Sequence, residues 1–363
     1  MRRAGTSDEA HDRSNTLSML LLDKVSKDFG GVRHAVSRLQ LECRDGEFLV
    51  LLGQSGAGKS TTLRLIAGIE SPTEGEILFD GQPVTHLPPE KRDVAMAFES
   101  YALYPHLTVR EHLEFPLRAP GRKLPAAVIA ERVQRVADLL EIGALLARRP
   151  TQLSGGQRQR VSLGRALVRQ ARFTLLDEPV AHLDARLRHD LRGELKRHQQ
   201  ASGATSIYAT PDFSEAAAVA DRIAVLVDGG LRQIDTPANI YDRPADVDVA
   251  LLAGDLRMNL FDADRLVSLT AISAGARQVG MRPSEIRVLG RAEPSALAGK
   301  VYVAEPMGYD QIVRVETGDQ IVTARMPLDQ ERFEIGQPVW LAPDWRRQHL
   351  FDAQGRRLDP ASN

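Results

Sequence analysis

The chain of 363 residues is 43% hydrophobic and 26% charged, which suits a globular protein of two or more domains. Its 47 lysines and arginines nearly balance 48 aspartates and glutamates, so no whole-chain field points to nucleic acid or an acidic membrane surface. The one cysteine, Cys43, excludes an internal disulfide and reads as a small core residue in a reducing compartment.

The opening MRRAGTSDEAHDRSNTLS, residues 1–18, is polar and lacks the apolar stretch of a secretory signal; a disordered extension is expected. From Met19, strands lead to a glycine loop, after which helical and apolar segments alternate. That order implies an α/β fold, a parallel sheet covered by helices. Phe48 to Leu52, FLVLL, is a continuous apolar run suited to a strand buried on both faces. No run approaches the roughly 20 apolar residues of a membrane-spanning helix.

The loop that follows is Gly53, Gln54, Ser55, Gly56, Ala57, Gly58, Lys59, Ser60 and Thr61, and it leads into the helical run TLRLIAGI. This is the setting that a phosphate loop requires. Its glycines let backbone N–H groups turn toward phosphate oxygens, and the next helix adds its N-terminal dipole. Lys59 is placed to reach β- and γ-phosphates, and Ser60 to ligate Mg2+.

Further along, Ile129, Val133, Val136 and Leu140 recur at helical spacing, so a helical insert is expected over about residues 87–160. FTLLDEP, Phe173 to Pro179, is a buried strand ending in two carboxylates. Asp177 would hold Mg2+ through water, and Glu178 would polarise the attacking water. SIYATPDFSEAAAVADRI, Ser206 to Ile223, reads as strand, turn and helix. Locally, Thr210 suits the N-cap, Pro211 the first helical position, and Asp212 the positive end of the helix dipole. RIAVLVDGG ends at an Asp-Gly hairpin signal. After about Ile240, KVYVAEPMG and QIVRVETGDQIVTARM alternate with period two around a Thr-Gly-Asp turn, as a small antiparallel β-domain does.

Between the phosphate loop and LLDEP lies LSGGQRQR, Leu153 to Arg160. These three motifs in this order resemble the ATP-binding-cassette ATPases. ESYALYPHLTV, RMN, VGMRPSEI and HLFD are similar to the importer ATPases of the maltose/sugar-uptake branch, over about Leu20 to the end of the chain. The resemblance implies an ATP-binding domain over residues 19–240 and an OB-like, TOBE-type regulatory β-domain over 241–363. It implies that Phe29 stacks on adenine. Ser154, Gly155, Gly156 and Gln157 would present N–H groups to ATP held by a partner ATPase, in a head-to-tail dimer. Other implied partners are two membrane permease subunits, met by the segment Tyr101 to His106, and through them an extracytoplasmic solute-binding protein. The place of work would be the cytoplasmic face of the membrane, with no nucleic acid partner. A cassette protein of DNA repair or translation would carry a long coiled coil or a second phosphate loop, and the sequence has neither.

Three positions depart from the family pattern. Glu99 stands for a glutamine that touches Mg2+ and the attacking water, Pro211 for a histidine that bonds the γ-phosphate, and Ala181 for a serine at the dimer contact. Glu99 adds negative charge beside triphosphate and two carboxylates. Pro211 cannot donate a hydrogen bond from side chain or backbone. Poor hydrolysis at this chain's own site is therefore expected, with LSGGQ serving the competent site of a different ATPase. An ordinary homodimer importing another solute, such as a polyamine, sulfate or iron, and a nucleotide-sensing regulator stay open. His182 reads as a surface or interface contact, and Arg158 and Arg160 as structural.

Overall fold

A computed structural model describes residues 20–31, 34–119, 124–329 and 331–359; the extension expected over residues 1–18 lies outside them. The strand Phe48–Leu52 forms where the sequence placed it, because all five side chains are 0–1% exposed. Its alternate residues enter two different cores. Phe48, Val50 and Leu52 join Val133, Val136 and Leu140 on one face of the sheet. Leu49 and Leu51 join Leu20, Leu22, Leu63 and Ile66 on the other.

The central sheet runs, in spatial order, Gly230–Asp235, Arg222–Val227, Phe48–Leu52, Thr205–Thr210, Phe173–Asp177 and Val94–Ala97. Its edge strand Gly230–Asp235 is antiparallel to Arg222–Val227 through the expected Asp228-Gly229 turn, and the other pairings are parallel. An antiparallel sheet of Val36–Cys43, Leu20–Lys27, Glu74–Phe79 and Gln82–Pro83 lies in the second core, where Cys43 is 0% exposed. The helical insert is narrower than expected. Val94–Ala97, inside the span 87–160, belongs to the central sheet because Val94, Ala95 and Ala97 are buried against it. Four residues are too few for a periodic signal. The helices Val109–Glu114 and Ala126–Leu139 follow, the latter burying Ile129, Val133 and Val136.

The C-terminal region is all antiparallel. One sheet comprises Asn259–Asp262, Gln278–Met281, His349–Phe351 and Arg357–Leu358. The other comprises Ile286–Leu289, Pro338–Pro343, Leu297–Met307, Asp310–Thr317 and Gln320–Pro327. Val301, Val313, Val315, Val322 and Leu341 fill the core between them.

The boundary expected after residue 240 lies further on. The short helices Pro237–Asp242 and Val247–Leu252 send Ile240, Val249 and Ala253 into the N-terminal core. Arg282, 1% exposed, reaches back across this junction. Its Nη1 donates to Ala250 O at 2.9 Å and to Ala253 O, and its Nη2 donates to Tyr241 O at 2.6 Å. The C-terminal strands return to the same helices, with Val247 N donating to Gly355 O at 2.9 Å and Arg357 N to Ala245 O at 2.9 Å.

His349, beside Arg282 and Arg357, is held neutral: burial first, then the two guanidinium charges, lower its pKa from 6.5 to about 4. Between those values the unfolded chain binds more protons than the folded one, so stability falls as pH drops from 6.5 toward about 4. The contribution present above pH 6.5 is on the order of 3 kcal/mol. Urea unfolding of His349→Gln across this window is expected to show a flatter pH dependence than the parent; parallel curves would contradict the assignment.

Candidate phosphate-binding site

The phosphate loop is built by close backbone approach. A Cβ on Gly53 would lie 2.5 Å from Leu226 O, and one on Gly58 would lie 2.4 Å from Ala35 O. Gly58 also has φ 95°, which disfavours any larger residue. It is the N-cap of the helix Lys59–Ala67 and offers no side-chain acceptor, and the first turn holds no acidic residue. The first N–H groups and the positive dipole end are thus left for an anion. Gln54, Ser55 and Gly56 are exposed, Ala57 is buried, and Ser60 and Thr61 are half-buried.

Lys59 is 4% exposed, and its Nζ donates to Gly53 O at 2.8 Å and Gln54 O at 3.0 Å. Burial lowers its pKa, opposed by Glu178, Asp177 and Glu99. Its Nζ lies 3.8 Å from Glu178 Oε1. Ser60 Oγ donates to Asp177 Oδ1 at 2.8 Å, so two oxygen donors from separate elements meet beside the loop. A hydroxyl and a carboxylate converging in this way fit the all-oxygen preference of Mg2+. Burial raises the pKa of both Asp177 and Glu178, and the charge of Glu99 raises both further. Glu99 therefore stands within electrostatic reach of the expected carboxylate pair and the loop lysine.

Pro211 has a different local role from the one its sequence suggests. Asp212, not Thr210, caps the helix Phe213–Val219, its Oδ1 accepting from Glu215 N at 3.1 Å. Pro211 stands before the cap rather than at the first helical position. Thr210 remains in the strand because it pairs in parallel register with Leu52, and its hydroxyl donates to Glu215 Oε2 at 2.7 Å. Pro211 accordingly lies at the strand end next to Gly53, and it lines a cleft with Gln54.

The helix Gly155–Leu167 starts at Ser154, whose Oγ accepts from Gln157 N at 3.3 Å while Gln157 Oε1 accepts from Ser154 N at 3.0 Å. This capping box orders the helix start that Gly155 and Gly156 leave bare of side chains. Phe29 is 60% exposed, with Lys27 Nζ 4.8 Å from its ring centroid. His182 is exposed, with its ring edge-on to Tyr101. Arg158 and Arg160 donate to carbonyls of Leu153 and of Leu140 and Glu141, a structural use.

Two residues escaped the sequence reading. Gln159, 3% exposed, donates through Nε2 to Glu178 O at 2.9 Å and accepts at Oε1 from His182 N at 3.0 Å. It holds the turn in which Glu178 adopts φ 46°, and its only sequence signal was an amide on the buried face of an otherwise basic helix turn. His112, 0% exposed, accepts at Nε2 from Tyr104 N at 2.8 Å and donates from Nδ1 to Thr108 O at 2.8 Å. It fixes the loop that leaves Tyr104 42% exposed beside Phe115.

Known proteins align with both regions. Residues 36–181 match the family described as ABC transporter, and residues 279–351 match the TOBE domain. The sn-glycerol-3-phosphate import ATP-binding protein UgpC of Brucella abortus is 39% identical over 94% of this chain and 99% of its own length. The sulfoquinovosyl glycerol transport ATP-binding protein SmoE of Agrobacterium fabrum is 42% identical over 94% and 99%. Among solved structures, the dimeric MJ0796, a bacterial ABC transporter cassette, superposes with TM-score 0.56 at 30% identity, covering 60% of this chain and 98% of that one. The same cassette is also known in a post-hydrolysis state bound to ADP and Pi, with the same TM-score of 0.56.

Proposed function

The chain belongs to the ABC transporter ATPases that carry a C-terminal TOBE domain, and on that premise we propose that it is the unequal ATP-binding member of an importer's ATPase pair. Its solute class is sugars or polyols, including phosphorylated or sulfonated glycerol derivatives, which agrees with the names of UgpC and SmoE. It works peripherally on the cytoplasmic face, against two permease subunits fed by an extracytoplasmic solute-binding protein. No helix among the described residues is long and apolar enough to cross a membrane.

In this reading ATP lies on Gly53 to Thr61, with Phe29 against adenine and Lys59 on the terminal phosphates. Ser60 and Asp177 are the residues that would hold Mg2+, which when bound neutralises charge shared by the β- and γ-phosphates. Glu178 accepts the proton of the attacking water. Ser154, Gly155, Gly156 and Gln157 serve the nucleotide of the second ATPase, whose site is competent. Closure of the pair on ATP and reopening after hydrolysis drive import.

The observation that carries the unequal pair is Pro211, at the strand end beside the phosphate loop and without a hydrogen to donate. Loss of one preorganised donor typically costs about 10²–10³ in rate. The purified chain is expected to turn over ATP slowly even when concentrated, and Pro211→His with Glu99→Gln is expected to recover about 10²-fold or more. Vigorous turnover by the unaltered chain alone would sink the reading.

A further inference from the structure

We propose that Arg257 reads the γ-phosphate of ATP bound at this chain's own phosphate loop, from the side that Pro211 leaves without a donor. The proposal rests on the reading of the loop as an ATP site. Gln54 of that loop, Pro211, Asp212, Phe213, Asp255 and Arg257 line one cleft of about 430 Å³. Its two carboxylates are already engaged. Asp212 caps its helix through Glu215 N, while Asp255 Oδ2 accepts from Arg325 Nη1 at 2.7 Å and its Oδ1 from Leu256 N at 3.0 Å.

Arg257, by contrast, has no hydrogen bond or ion pair among the described residues and is exposed to the cleft. Its backbone is nevertheless held on both sides. Ala253 is 0% and Met258 3% exposed, and Asn259 Nδ2 donates to Thr323 O at 2.8 Å. An anchored guanidinium that pairs with neither carboxylate of its cleft, which Gln54 of the phosphate loop also lines, fits the terminal phosphate: its planar fork matches two phosphate oxygens. Such a contact, made alike in the ground and transition states, tightens ATP binding without speeding hydrolysis. It therefore coexists with a slow site.

Position gives the contact a second consequence. Arg257 lies between the helix Val247–Leu252, rooted in the ATPase core, and the strand Asn259–Asp262, which opens the β-domain. A γ-phosphate held there makes the start of the β-domain sensitive to ATP against ADP.

The test is equilibrium binding of a non-hydrolysable ATP analogue and of ADP, each with Mg2+, to the full chain. Arg257→Ala is expected to lower analogue affinity about tenfold with ADP affinity unchanged, and Arg257→Lys to retain part of the preference. No change for either nucleotide, or equal loss for both, would overturn the proposal. ATP turnover by the isolated parent is measured alongside. Fast turnover would refute the unequal pair while leaving the Arg257 result to stand by itself.

Discussion

Lys59→Ala is expected to weaken Mg-ATP binding by at least about 100-fold, about 3 kcal/mol, and to abolish import in cells. The lysine is nearly fully buried, and its ammonium already sits on the carbonyls of Gly53 and Gln54, at 2.8 and 3.0 Å. Those bonds shape the loop and hold the positive charge where a phosphate arrives. Alanine removes both the charge and the tether. Three carboxylates, Glu178, Asp177 and Glu99, would then face the triphosphate without the cation that offsets them. Glu178→Gln, which alters only the proton acceptor of a slow site, is expected to lower import far less than Lys59→Ala. Binding measured with a fluorescent nucleotide and uptake measured with the candidate solutes separate the two effects. Equal loss of import from both changes would mean that hydrolysis at this site is required.

Arg282→Ala is expected to cost about 3–5 kcal/mol of stability and to release the β-domain from the ATPase core. The guanidinium is the meeting point of two helix ends. It takes the last-turn carbonyls of Val247–Leu252, through Ala250 and Ala253, and Tyr241 O of Pro237–Asp242, and its centre lies 4.1 Å from the Tyr241 ring centroid. Terminal carbonyls carry the negative end of the helix dipole and have no partners within their own helix. Alanine would leave them buried and unpaired, together with a cavity. Burial lowers the pKa of Arg282, yet a guanidinium keeps its proton, so lysine is no substitute for its fork. Limited proteolysis at the junction around residues 253–258, with thermal unfolding of the full chain, checks the result. An unaltered melting profile and unaltered protection would refute the clamp.

The differences between sequence and structure follow the range of the forces involved. Phe48–Leu52 is readable because a strand buried on both faces is apolar at every position, and Phe173–Asp177 because its Phe-Thr-Leu-Leu run keeps most of that pattern up to Asp177. Val94–Ala97 was not, since a four-residue strand owes its place to its neighbour Phe173–Asp177 rather than to its own pattern. The six-residue helix Val247–Leu252 falls inside the span expected for the β-domain for the same reason, and the helix Pro237–Asp242 straddles the expected boundary. Thr210 and Asp212 are both good caps, and only the pairing of Thr210 with Leu52 assigned the cap to Asp212.

The contiguous motifs were determined by sequence alone: the glycine loop with Lys59 and Ser60, the paired Asp177 and Glu178, and the capped glycines after Ser154. Each depends on backbone geometry within a few residues, which the local residue types impose. Tertiary structure decided what meets them. Gln159 under Glu178, Arg282 under two helix ends, and Arg257 in one cleft with Gln54 and Pro211 are joined across 19 to 203 positions of chain. Such meetings are set by parallel register and by burial of a shared core, and neither leaves a periodic mark in the sequence.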